Sequence, residues 1–273
     1  MTGLIWLASL LAGFLGALTG LGGGVVIVPL LALGFGVDLK YAVGVSLISV
    51  IATSSGAAAA YVREGFSNVR IGMFLEIATT LGALLGAYLT TMFSTHAIGT
   101  VFGVVLLYSA YASFRKMKDH GGVTVPNALA LRLRLHGTFP GANGVEEYEA
   151  QRVPAGFGLM FLAGTLSGLL GIGSGAVKVL AMDQAMKLPF KVSTTTSNFM
   201  IGVTAAASAG IYLSRGYIHP GLAMPVTLGV LAGSLVGSRM LVRVEVKTLR
   251  LLFALVILAL GVEMIYNSMA GKL

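Results

Sequence analysis

Two stretches of this chain break with glycine at the depth where a membrane helix should stay closed. The first reads Gly20-Leu21-Gly22-Gly23-Gly24 and the second Gly171-Ile172-Gly173-Ser174-Gly175, each near the middle of about 30 mostly apolar residues. A simple membrane helix needs only about 20. Glycine is a poor helix former that accepts positive φ, so the helix is expected to open at both places. Opened backbone at membrane depth is tolerated only against protein or a polar cavity, which makes the breaks the leading candidates for a binding site.

Offsetting the sequence by 151 residues lays the second stretch on the first without a gap. The same register pairs Lys40 with Lys191, Ser46 with Ser197, Thr53 with Thr204 and Tyr61 with Tyr212. It also pairs Gly82…Gly86 with Gly233…Gly237, a spacing that lets helices approach closely in lipid and marks packing rather than chemistry. Matches of such variety in one register are read as an internal duplication.

The rest of the chain has a membrane protein's composition. Of its 273 residues 56% are hydrophobic and 10% charged, against about 25% charged in soluble domains. Apolar stretches fall at 3–34, 41–61, 70–93, 97–114, 153–186, 192–213, 218–240 and 248–268. No Lys or Arg precedes Lys40, so the apolar N-terminus is read as retained rather than cleaved. The net charge of +8 reflects orientation signals at the membrane and not a nucleic-acid surface. With no cysteine, disulfides, thiolate metal sites and redox switching are excluded.

Basic residues also decide how the long stretches run. If all eight cross the membrane, the flanking Lys and Arg divide ten to seven. If both glycine-broken stretches are re-entrant, they divide fourteen to three, with only Lys40, Arg215 and Lys272 on the poorer side. The second division is a positive-inside pattern. The expected fold is therefore an all-α polytopic membrane protein of two inverted repeats, each a glycine-broken re-entrant hairpin plus three transmembrane helices. Residues 1–114 form the first repeat, 115–152 a cytoplasmic connector and 153–273 the second repeat. The N-terminus lies outside. Within the connector, ALALRLRLH alternates with period two before Pro-Gly, which predicts a β-hairpin.

Candidate site residues cluster at the breaks. The limb after each glycine run begins with free backbone N–H groups and the positive end of its dipole, so Gly22, Gly23, Gly24, Gly173, Ser174 and Gly175 are candidate anion-binding positions. Lys178 follows inside the second hairpin, where a lysine costs about 2.5–3.5 kcal/mol unless it meets water or a partner. No acidic residue lies one turn away on its own helix, so it either faces a bound anion or snorkels to the headgroups. Ser197 and Asn198 lie deepest in the polar run Ser193–Asn198 and either bind an oxyanion or bond a neighbouring helix. Glu76 is a candidate proton-coupling group, unless it lies at the interface near Arg70. No hydrolase elbow, Walker loop or Cys/His metal spacing is present, so neither an enzyme nor a cofactor is expected.

GLGGGVVIVPLL, SGLLGIGSGAVKV and KLPFKVSTTTSNFMIGVTAAASA closely resemble the TauE/SafE (sulfite exporter) family of bacterial membrane proteins. The resemblance implies a secondary transporter of the bacterial inner membrane exporting sulfite, sulfoacetate or a related organosulfonate. The family's second motif has three consecutive glycines; here Ser174 takes the middle place. The partners then expected are a small anion and the lipid bilayer, without nucleic acid, and a homodimer as assembly. A passive anion channel, a cation-coupled importer and a non-transporting scaffold are the competing readings.

Overall fold

The computed structural model describes residues 2–19, 23–63, 67–114, 128–141, 144–240 and 246–271. It is mostly helical. In the first half, α1 (Thr2–Thr19) runs to the break. Then come α2 (Gly24–Pro29) with a π-helical turn (Leu30–Gly34), α3 (Leu39–Arg63), α4 (Val69–Leu89) and α5 (Thr95–Phe114). After α6 (Ala128–Arg132) and the strands β1 (His136–Gly141) and β2 (Gly144–Glu149), the second half repeats the order. It has α7 (Val153–Leu170), α8 (Gly175–Leu180) with its π-helical turn (Ala181–Ala185), α9 (Phe190–Ser214), α10 (Pro220–Met240) and α11 (Val246–Met269). Every helix start in the second half lies 151 residues after its counterpart in the first. Even the turns closing the π-helical segments correspond, with Val37 N–H donating to Leu31 O and Leu188 N–H to Met182 O, both at 3.0 Å.

Across the halves, α1 packs along α10 and α4 along α7, while α3 meets α9 and α5 meets α11. The crossed pairs run parallel: Gly82 lies against Phe161 and Thr165, and Gly86 against Thr165 and Leu169. On the other side, Gly229 lies against Trp6 and Gly237 against Phe14. Any Cβ at Gly82, Gly86 or Gly233 would overlap a carbonyl oxygen of the facing helix, so the backbone contact requires glycine. The like pairs run antiparallel. Gly202 faces Ser54 while Gly44 faces Tyr217, just past α9, and Gly261 faces Gly103 while Thr100 bonds Ser268 at 2.9 Å.

The second hairpin folds back on itself. Gln151 N–H, ahead of α7, donates to Met186 O, behind α8, at 2.8 Å, so this segment begins and ends at the same level. Its buried bend leaves the last carbonyls of α7 without helical partners. Gly171 N–H takes Ser167 O at 2.8 Å, and the Tyr212 hydroxyl donates to Gly168 O at 3.0 Å.

The outer surface is apolar, and the buried core mixes apolar side chains with buried polar ones. Along α4, Met73, Ile77, Leu81, Leu85 and Tyr88 are exposed while Glu76, Thr79, Gly82 and Gly86 are buried. Among the described residues, three helical segments are long and apolar enough to cross a bilayer by length and composition: Val69–Leu89, Val153–Leu170 and Pro220–Gly237. The 25-residue α3 and α9 have ample length but dilute their hydropathy with buried Ser and Thr.

The connector differs from its sequence reading. Residues Ala128–Arg132, predicted extended, form α6, and the hairpin begins only at His136, pairing His136 with Glu149 through Gly141 with Gly144. Alternation alone misleads here because Leu129, Leu131 and Leu133 are all exposed, while Ala130 and Leu135 supply the burial. Phe139 and Tyr148 join a core with Ile71, Leu75, Met182 and Met186. Burial pushes the Tyr148 phenol above its ordinary range, so its neutral oxygen accepts from Asn68 Nδ2 at 2.9 Å.

Candidate functional site

The two breaks meet at the centre of the molecule. A Cβ on Gly24 would stand 2.7 Å from both Gly171 O and Ser46 Oγ, and the Ser46 hydroxyl donates to Gly171 O at 2.8 Å. Of the first break, Gly22 lies outside the described residues. Gly23 has ordinary right-handed backbone (φ −63°) and its carbonyl accepts from Val26 and Ile27 N–H, both at 3.1 Å. In the second break Gly171, Gly173 and Ser174 all take positive φ, at 69°, 71° and 44°. Left-handed backbone costs a non-glycine residue about 1–2 kcal/mol. Ser174 sits there because its hydroxyl donates to Ala163 O on α7, bracing the bend. The Ser197 hydroxyl likewise donates to a backbone carbonyl, Gly175 O, at 3.3 Å. Gly175 opens α8.

Lys178 is fully buried, at 0% exposure. Its ammonium does not reach headgroups; it donates to Thr204 Oγ1 at 2.6 Å. The Thr204 hydroxyl in turn donates to Glu76 Oε1 at 2.7 Å, and Thr80 adds a bond to the same oxygen at 3.2 Å. Glu76 is 6% exposed and turned away from Arg70, which is exposed. The carboxylate that Lys178 lacks on its own helix thus comes from α4 of the other half, through one hydroxyl. Opposite charges buried together cost far less than either alone.

The set is unfinished. Glu76 Oε2 is buried without a partner, and Asn198, 5% exposed, leaves its amide nitrogen unpaired. Lys178 carries three donors, of which one is used among the described residues. Lys178, Thr204 and Glu76 are therefore brought together, while Ser174 and Ser197 serve the bend. Sequence reasoning missed Thr204 as a site residue. Its signal was the pairing with Thr53 at the 151-residue offset, inside a helix rich in hydroxyls.

Comparison with known proteins finds relatives along nearly the whole chain. A probable membrane transporter protein of Bacillus subtilis, YunE, is 27% identical over 266 residues, covering 95% of each chain. A second from the same organism, YdhB, is 26% identical over 86% of each chain. A third, from the archaeon Methanocaldococcus jannaschii, MJ0441, is 23% identical over 96% of this chain and 94% of its own. No solved structure matches the chain. Residues 5–264 match the family described as sulfite exporter TauE/SafE, and the chain belongs to that family of membrane transporters.

Proposed function

We propose that this protein is a secondary transporter exporting a small sulfur-containing oxyanion, such as sulfite or an organosulfonate, by alternating access. The observation that carries the reading is Lys178: a fully buried cation just after a glycine break, with donors the protein leaves unused. Small tetrahedral or pyramidal oxyanions accept several hydrogen bonds at once, which suits the remaining N–H donors of Lys178 and the unpaired amide of Asn198. Gly173 and Gly175 keep the adjoining backbone free of side chains. The family's description points to sulfite chemistry.

Inverted repeats form the working architecture. Helices equivalent by the 151-residue offset run antiparallel (α3 with α9, α5 with α11), and the α7–α8 segment returns to its starting level. Each half is then a re-entrant hairpin plus three transmembrane helices, at 1–114 and 153–273. With fourteen basic residues on one side, the connector 115–152 faces the cytoplasm of a bacterial inner membrane and the N-terminus faces out. An inside-negative potential favours outward anion movement by about 2.3 kcal/mol per charge per 100 mV.

Flux into proteoliposomes tests the reading. Sulfite or sulfoacetate transport should saturate at rates far below channel conduction and disappear in Lys178→Ala. Unsaturable conduction would identify a channel, and no flux of either anion a scaffold.

A further inference from the structure

A buried lysine already bridged to a buried carboxylate is a poor anion receptor. Its charge is spent. Three details indicate how the charge is released. First, Glu76 holds its bridge through Oε1 alone, and Oε2 is buried and unpartnered. Second, the intermediary is a hydroxyl with a single proton and two acceptors in reach, Glu76 Oε1 at 2.7 Å and Met200 O at 3.0 Å. Third, among the described residues Glu76 and Lys178 are the charges that act on each other, and the next buried carboxylate, Asp183, lies five residues after Lys178 in the π-helical turn. Among the elements packed on α4, α7 carries no ionisable side chain, and α9 carries Lys191 at its exposed start and Tyr212 near its far end. Arg70 on α4 is exposed, and His136 and Tyr148 lie at Asn68, two turns before Glu76. The charge balance of the site is set by Glu76 and Lys178.

We propose that Glu76 is a proton-binding site whose protonation frees Lys178 for the oxyanion, so that one proton is taken up with each anion bound. The inference rests on the reading of Lys178 as the anion's partner. In the empty site Lys178 donates to Thr204, which donates to Glu76⁻, and the pair is neutral. A proton from the solvent on Glu76 turns the carboxyl into a donor. Thr204 then accepts from it and rotates its own proton to Met200 O. Lys178 is left with a positive charge and no counterion, and the oxyanion supplies one. The protein begins and ends each cycle with the same charge at this site, and no covalent bond other than O–H is made or broken. Anion binding without the proton would place two negative groups against one buried cation, which like-charge repulsion opposes. By linkage, the anion must then raise the affinity of Glu76 for its proton by the same factor.

Sulfoacetate is the probe, because its charge is constant between about pH 5.5 and 8.5. Its affinity for the purified full-length protein is read from thermal stabilisation across that range. In the wild type, affinity should strengthen as pH falls, approaching about tenfold per pH unit above the titration of Glu76. Adding sulfoacetate to weakly buffered protein should take up about one proton per anion bound. Glu76→Gln, which mimics the protonated group, should bind tightly with no pH dependence and no proton uptake. Should that variant fail to fold, Glu76→Thr with Lys178→Ile supplies the control. It copies the residues of the equivalent positions in the other half, and should fold without binding sulfoacetate. Binding by the wild type that is flat with pH, or a Gln variant keeping the wild-type slope, overturns the proton linkage alone. Absence of stabilisation by sulfoacetate at any pH overturns the anion site itself, and the linkage with it. Sulfoacetate binding retained in the double variant removes Lys178 from the site.

Discussion

The positions equivalent to Lys178, Thr204 and Glu76 are Ile27, Thr53 and Thr227. Both sets sit where a break meets the other half's fourth helix, and the helix starts around them correspond at the 151-residue offset. Their chemistry does not. Thr53 spends its hydroxyl on Ser49 O, one turn back in its own helix, at 2.6 Å, while Thr204 bridges two charges. Ile27 is buried in hydrocarbon where Lys178 is buried on an ion pair. The breaks themselves diverge in the same sense, with Gly23 right-handed and Ser174 left-handed at the matching position. The two sets occupy equivalent positions, and charge stands in one of them. The first half shows what the scaffold needs to fold, and the second shows what has been added to it.

The comparison breaks most sharply when one charge is removed. Lys178→Met or Glu76→Leu leaves a buried ion unpaired, and each should cost about 3–5 kcal/mol in detergent unfolding. Removing both, as Ile and Thr, should recover most of that loss. If the double variant is as unstable as the singles, the neutral set of the first half is no guide to the second.

Gly86→Val should cost about 1–3 kcal/mol by overpacking, since its Cβ would overlap Thr165 O. The same change at Gly237 should cost less, because there the nearest atom, Phe14 O, stands 2.8 Å away. Unfolding midpoints of the two variants measure how closely the crossed pairs match.

Thr204→Val should lose about 1.5–3 kcal/mol, the range for hydrogen bonds to charged groups. Thr53→Val, which loses only a bond within its helix, should lose less than about 1.5. Equal losses would deny Thr204 its bridging role. The smallest effect belongs to Ser174→Gly: relief of left-handed strain, about 1–2 kcal/mol, offsets a lost bond of about 0.5–1.5. A midpoint within a few degrees of wild type is expected; a large drop would mean that the brace to Ala163 outweighs the strain.

The fold was largely legible because duplication writes it twice. The 151-residue register anticipated the correspondence of helix starts, and the second glycine run marked the bend between α7 and α8. Gly82 and Gly86 were read as packing positions, and they lie on the backbone of α7. What escaped was contact across the halves. Nothing near Lys178 in sequence points to Glu76, whose partnership depends on α4 lying beside α9 at one rotation. Ser174 and Ser197 looked like ligands because a hydroxyl beside a glycine break is as good a donor to an anion as to a carbonyl. The carbonyls they meet, Ala163 O inside α7 and Gly175 O at the head of α8, come together only in the fold. The connector misled for a simpler reason: alternating leucines predict a half-buried strand only when something covers one face.

Asn68 has a mechanical consequence. Its backbone N–H is held by Thr196 of α9, its side-chain oxygen by Ile71 at the head of α4, and its amide by Tyr148 of the connector. Rotation of α4 about its long axis carries its cap along and must strip the bonds to Thr196 and Tyr148, at about 0.5–1.5 kcal/mol each, before Glu76 can swing away. The strand that carries Tyr148 acts as a stay on that axle. The connector's second strand is thereby tied to the head of the helix that carries Glu76 two turns deeper.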